Sequence, residues 1–166
     1  MPEFTKWVNG GNFDGGRLSL EQLELRGWYG RLLRLMHEPA FTRGEFYGLN
    51  HANKENPDFG RLEGETSSGH WLYAFLRQDR ESGQALMVVV NFHGREALHG
   101  VRVRIPHHAL GWLGMEQTGE MSFEERLDAE WGAQVAMEEL PYGGLPLPAL
   151  PALGVMVVEL SRRRLQ

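Results

Sequence analysis

The sequence predicts a mainly β protein, an antiparallel Greek-key-like β-sandwich preceded by one amphipathic α-helix. Three observations carry that expectation. Two apolar runs, Trp71–Leu76 and Ala85–Phe92, flank the short polar stretch Gln78–Gln84, which contains Gly83. A single stretch of helical periodicity follows a capping-box pattern at Ser19–Gln22. The later half of the chain is built of short alternating or β-branched segments broken by proline and glycine.

The two apolar runs read as a central hairpin. Successive strand side chains point to opposite faces, so Trp71, Tyr73 and Phe75 share one face and Leu72, Ala74 and Leu76 the other. Both faces are apolar, and the Val-rich second run is too short to read first as a helix. Such a hairpin is expected to be covered on both sides, with Trp71, Tyr73 and Phe75 in the core.

Ahead of it, residues 1–18 read as irregular loop, because Asn9–Asn12 and Asp14–Gly16 cluster the residues that tolerate positive φ. Ser19 with Gln22 starts a helix, and Leu25, Trp28, Tyr29, Leu32 and Met36 recur at its period until Pro39 stops it near His37. Gly27 and Gly30 lie inside that helix at a cost of about 1 kcal/mol each, which marks either a close neighbour or a tolerated weak spot. Gly44–Asn50 reads as a first strand and 53–69 as a long mobile loop.

Beyond the hairpin, Leu98–Ile105 alternates as a half-solvated strand ended by Pro106, and His107–Gly114 fits a short helical turn. Glu116–Glu130 reads as a solvated acidic loop or helix. Val135–Leu140 is a candidate strand and Gly154–Leu160 the last one. Pro141, Pro146, Pro148 and Pro151 cannot donate to a ladder and so belong at an edge or in an extended loop. Several short strands after one helix make a sandwich the expected architecture.

Composition limits the functions available. The chain has 166 residues, ample for one core, and carries a net charge of −5 with no cysteine. That charge excludes a nucleic-acid footprint, which needs a basic stripe, and the Arg162–Arg164 run reads as a solvated tail. Lack of cysteine excludes disulfides, thiolate catalysis and zinc–thiolate sites. No apolar run approaches the ~20 residues of a membrane span, and residues 1–20 lack the pattern of a secretory signal.

The strings WVNGGNFDGG, LSLEQLELRGWYGRLLRL, GEFYGL, WLYAFLR and LMVVVNF, followed by a proline-rich approach to VMVVEL, together resemble the carboxy-terminal end of α-amylase-type enzymes of glycoside hydrolase family 13. In that family a (β/α)8 barrel passes from its eighth helix into a small antiparallel sandwich. The resemblance implies that residues 1–43 are the last loop and helix of such a barrel and 44–166 the sandwich domain, with the chain truncated at its start. It implies a non-catalytic fragment that packs against and stabilises an upstream catalytic barrel, because the family's three catalytic carboxylates lie upstream of everything present here.

The residues agree with a non-catalytic reading. Glu120, Glu124, Glu125, Asp128 and Glu130 have few apolar neighbours in sequence to raise a carboxyl pKa for acid catalysis. His107 and His108 are adjacent rather than spaced as metal ligands, so neither metal nor cofactor is expected. The remaining chemistry is sugar contact on exposed aromatic faces, for which Trp7, Trp112 and Tyr142 are the candidates; an independent module binding α-glucans is the alternative function. A free apolar helix face over 20–37 also predicts self-association.

Overall fold

The structure, a computed structural model, describes residues 2–115, 118–128 and 130–162. The chain divides into two compact units, Met1–His37 and Glu38–Gln166.

The first unit is helical. Helix α1 (Pro2–Val8) runs into a 3-10 turn at Asn9–Gly11, and helix α2 spans Leu20–Leu35. The capping box forms as the sequence requires: Ser19 Oγ accepts the Gln22 backbone N–H (3.3 Å) and Gln22 Oε1 accepts that of Ser19 (3.1 Å). The expectation of an irregular loop over 1–18 fails at its start, where α1 forms. The rest of that loop is held by Arg26 of α2, whose guanidinium donates to the Phe13 carbonyl (2.8 Å) and lies 5.5 Å from the Trp7 ring centre. Asn9 and Gly16 both donate to Asp14 Oδ1, and the Asn9 bond holds the Asp14 carboxyl below its usual range.

Within α2, no neighbour presses on the glycines. A Cβ at Gly27 would meet only the Arg31 guanidinium, and one at Gly30 only that of Arg34, both at 3.8 Å. The side chains of Leu25, Tyr29, Leu33 and Met36 repeat at helical spacing and are all exposed.

The second unit is the sandwich. A short helix α3 (Pro39–Thr42) precedes β1 (Glu45–Gly48), α4 (Asn50–Asn53) and the long hairpin β2 (Leu72–Asp79) and β3 (Gln84–Asn91). Then follow β4 (Arg102–Val103), α5 (His107–Trp112), β5 (Glu120–Glu125), β6 (Gly132–Ala136), β7 (Leu145–Pro146) and β8 (Val155–Arg162). Six strands make one antiparallel sheet in the order β1-β2-β3-β8-β5-β6, while β4 and β7 pair apart from it. The chain leaves the sheet after β3, builds the second layer, returns as the β5–β6 hairpin and closes the gap with β8. That is the crossover of a Greek-key sandwich.

Register assigns the faces. Leu72, Ala74 and Leu76 of β2 lie beside Val89 and Met87 of β3, which lie beside Met156 and Val158 of β8. These inward residues pack with Val101, Val103, Ile105, Leu110, Leu140, Leu145 and Leu147 of the second layer. The proline-rich stretch behaves as a ladder-poor edge: Pro146 sits opposite Arg102 in a two-residue pairing.

Three sequence expectations are corrected in this unit. Residues 53–69 are not a free loop, because Phe59 is fully buried and Asn53, Asn56 and Ser68 are buried with it. Asn56 Nδ2 donates to the Arg102 carbonyl (2.8 Å) and Ser68 Oγ to the Asn56 carbonyl (2.5 Å), so polar side chains here satisfy backbone that the second layer leaves open. The acidic segment is also structured. Its part Glu120–Glu125 is a strand in which Met121 and Phe123 point into the core with the buried Glu125 on the same side, while Glu120 and Glu124 face outward. Glu116 and Ala129 of that segment, and Arg163 and Arg164 of the terminal run, lie outside the described residues. Val135–Leu140 is shifted as well, since pairing ends at Ala136 and the following residues turn.

Candidate functional site

The outer face of the hairpin is apolar and only partly covered. Alternation puts Trp71, just ahead of β2, and Tyr73, Phe75 and Arg77 of β2 there, with Leu86, Val88 and Val90 of β3 beside them and Val157 of β8 beyond. At one end α3 lies on this face. Arg77 donates from Nε to the Ala40 carbonyl and from Nη2 to the Phe41 carbonyl, both at 3.0 Å, while Gln84 Oε1 accepts the Ala40 N–H (3.1 Å). Leu86, Val88 and Val157 are buried.

The other end is open and aromatic. Phe46 of β1 sits 5.2 Å from Phe75, which lies 5.8 Å from Tyr73. Phe46 is 52% exposed and Tyr73 38%. Trp71 is held between the His70 and His93 rings at 4.4 and 4.5 Å. The expectation that Trp71, Tyr73 and Phe75 lie in the core is therefore corrected: Tyr73 is exposed and Trp71 and Phe75 are only half-buried. Whether a second apolar face is covered depends on residues distant in sequence, and the run alone does not encode it.

The sugar-contact candidates separate into two places. Trp7 belongs to the helical unit, on α1, with the Arg26 guanidinium over its ring. Trp112 and Tyr142 both lie along α5. Tyr47 links the far end of that helix, its ring centre 5.2 Å from Trp112 and 5.6 Å from His108, and its hydroxyl is in hydrogen-bond contact with His108 Nδ1. His108 and Trp112 are one turn apart, so both face Tyr47. Burial among these rings pushes the Tyr47 phenol pKa up. At the near end the exposed Tyr142 meets His107 edge-on at 5.7 Å, with its hydroxyl 3.3 Å from Nε2. Trp112 is half-buried, and its ring is engaged by Tyr47. Tyr142 is the more open of the pair.

Among the described residues, no group of three or more His, Cys, Asp or Glu is placed to hold a metal ion. Nor is any helix there long and apolar enough to cross a membrane. Glu125 is buried, and its carboxylate accepts the Val157 N–H (3.2 Å) and that of Asp128, so it holds the turn after β5 in shape.

The fold is one found inside solved glycosidases. No family profile matches the chain, and no curated protein matches it in sequence. Solved structures match it in shape: the α-galactosidase from Lactobacillus brevis has a TM-score of 0.53 and 10% identity over 92% of this chain and 18% of that one. The galactosidase domain of an α-galactosidase–sucrose kinase has a TM-score of 0.52 and 16% identity over 89% of this chain and 17% of that one. The chain thus spans less than a fifth of the length of either, and at such identities the likeness is one of fold.

Proposed function

We propose that this chain is the non-catalytic terminal part of a carbohydrate-active enzyme, a small sandwich and a preceding helix that pack against and stabilise the catalytic barrel of the parent. The observation that carries the reading is the exposed stripe Leu25, Tyr29, Leu33 and Met36 on α2. A helix apolar on a face that water reaches is built for a neighbour, since each large side chain left wet forgoes about 1.5–3 kcal/mol of burial. The aromatic end of the sheet's outer face is a second surface of that kind. The short span of the chain against the α-galactosidases it resembles in fold supports a larger parent.

The finer form of the proposal is an α-amylase-type parent of family 13, resting on the WLYAFLR and LMVVVNF strings. The fold neighbours are α-galactosidases, so support from shape extends to glycosidases in general. Residues 1–43 are in this reading the end of the barrel. The carboxylates of the reaction belong to the parent, and this chain supplies none. A second reading, an independent α-glucan-binding module, draws on the exposure of Tyr142 beside His107 and on Trp112 and Trp7 as further contacts.

The test is sedimentation and hydrophobic-dye binding of the chain by itself. Without a barrel to cover it, the α2 stripe drives self-association at micromolar concentration and binds dye. The exposed double substitution Leu25→Ser with Leu33→Ser gives a monomer of unchanged circular dichroism. A wild-type chain that stays monomeric and binds no dye contradicts the reading.

A further inference from the structure

The two edges of the six-stranded sheet are unlike, and one of them is unguarded. The edge strand β1 carries Glu45, which pairs with Arg80 (3.2 Å), a charge of the kind that blunts sheet edges. At the opposite edge β6 reads Gly132-Ala133-Gln134-Val135-Ala136, with neither a charge nor a proline, and among the described residues its strand partner is β5 alone. The phase of that ladder is fixed at both ends, where the Glu125 N–H reaches the Trp131 carbonyl (2.9 Å) and the Met137 N–H the Gly119 carbonyl (2.8 Å). Ladder bonds in an antiparallel pair fall on alternate residues, so Ala133 and Val135 bond to β5 while the backbone of Gly132 and Ala136 turns to the open side. The Glu139 N–H takes the Ala136 carbonyl (3.0 Å), but no described residue bonds the Gly132 N–H, the Gly132 carbonyl or the Ala136 N–H.

The side chains along this edge differ from one face to the other. On the inner side Trp131, Ala133 and Val135 pack against the core yet are only half-buried, which leaves an apolar flank beside the open backbone. On the outer side Glu124 stands opposite Gly132, while Glu130 precedes the strand and Glu138 follows it. All three acids are exposed, and no ion pair holds any of them among the described residues. The neighbouring cation, Arg126, is engaged by Glu38 and Glu159.

Charge decides what fits such an edge. In strand addition the backbone bonds supply affinity and the alternating side chains supply specificity. A second copy of this chain is disfavoured: pairing β6 with β6 in full overlap about Gln134 sets the Glu130 end of one copy against the Glu138 end of the other, and like charges facing across strands repel. An extended segment whose residues alternate between basic and apolar suits both sides. We propose that β6 is a docking edge for such a basic, extended peptide segment of another protein, added antiparallel to it. Its Lys or Arg side chains lie beside Glu124 and Glu130, and its apolar ones extend the core against Trp131 and Val135. The site uses neither the α2 stripe nor the outer face of the hairpin.

Backbone-amide NMR of the full chain, titrated with a short blocked peptide of alternating Lys and Val, tests it, with the alternating Glu and Val peptide of the same length as control. The basic peptide should give saturating shifts centred on residues 131–137 and slow the exchange of the Gly132 and Ala136 amides. Its dissociation constant should lie below about 1 mM and rise with salt. Glu124→Gln combined with Glu130→Gln, both exposed, should weaken binding about fivefold. Ala136→Pro removes an N–H that points away from β5 and should weaken it about tenfold; the charge variant decides the matter if the proline variant does not fold. Four results overturn the proposal: no saturating shift with the basic peptide, equally tight binding of the acidic one, shifts centred on the outer face of the hairpin, or affinity unchanged in the charge variant. Shifts at β6 that depend on protein concentration without peptide overturn it too, in favour of pairing between copies.

Discussion

Asn53 and Arg104 are joined at two points: Asn53 Oδ1 accepts the Arg104 backbone N–H (2.8 Å) while Asn53 Nδ2 donates to the Arg104 carbonyl (2.9 Å). The side-chain amide does for the 101–105 segment what a neighbouring strand would do. Asn56 extends the substitution by donating to the Arg102 carbonyl, and the Arg102 N–H reaches the Asp58 carbonyl (2.9 Å). This is why β4 needs only a two-residue ladder with β7 and still carries Val101, Val103 and Ile105 fully into the core.

Asn53→Ala should therefore cost roughly 2–4 kcal/mol, because it strands buried backbone groups of Arg104 and Leu49 together with the Asn56 amide. Asn53→Asp should be damaging too, since a carboxylate cannot donate to those carbonyls. Urea unfolding read by tryptophan fluorescence measures both.

Gly27→Ala and Gly30→Ala should each stabilise the chain by about 1 kcal/mol, since no backbone lies close to either position. Thermal melts of the single and double variants give the increments.

Stability should fall with acid in a way that Asp79 explains. A hydrogen bond from Ser82 holds its carboxyl below the usual range, with Arg43 (3.2 Å) adding to the effect. A depressed folded-state pKa means stabilisation that is present above the ordinary aspartate value, about 3.9, and is lost as pH falls through the folded value. The difference in unfolding midpoint between wild type and Asp79→Asn should be constant from neutral pH to about 5 and shrink below about 4. A difference that grows on acidification would refute the assignment.

Gly144→Ala should cost more than about 1 kcal/mol. Its φ is +70°, and a Cβ there would lie 2.9 Å from the carbonyl carbon and oxygen of Val103, forcing β7 away from β4. Hydrogen exchange should show faster amides at Leu147 and Ile105, which bond to Val101 and Leu140 on either side of that pairing.

The hairpin, the last strand, the capping box and the turn at His107 are legible in the sequence because each is set by local periodicity or a local cap. The segment 53–69 is not, because its order comes from asparagine side chains bonded to backbone some 50 positions later, and polarity alone reads as solvent. Glu120–Glu125 hides in the same way: the acids draw the eye, while Met121 and Phe123 carry the strand. Of the site, Trp131, Trp112 and Tyr142 stand out as aromatics outside the predicted strands. Their separate placement, against the core ahead of β6 and along α5, depends on contacts with Glu125 and Tyr47 that no local pattern encodes. The apolar second face of the hairpin is visible in Tyr73 and Phe75, but its incomplete cover by α3 is not.

Reading the coding sequence upstream of the Met1 codon tests the central claim most directly. The account predicts an open frame that encodes a (β/α)8 barrel with carboxylates at the ends of its fourth, fifth and seventh strands. An in-frame stop codon immediately upstream, leaving a free-standing helix and sandwich, would contradict it.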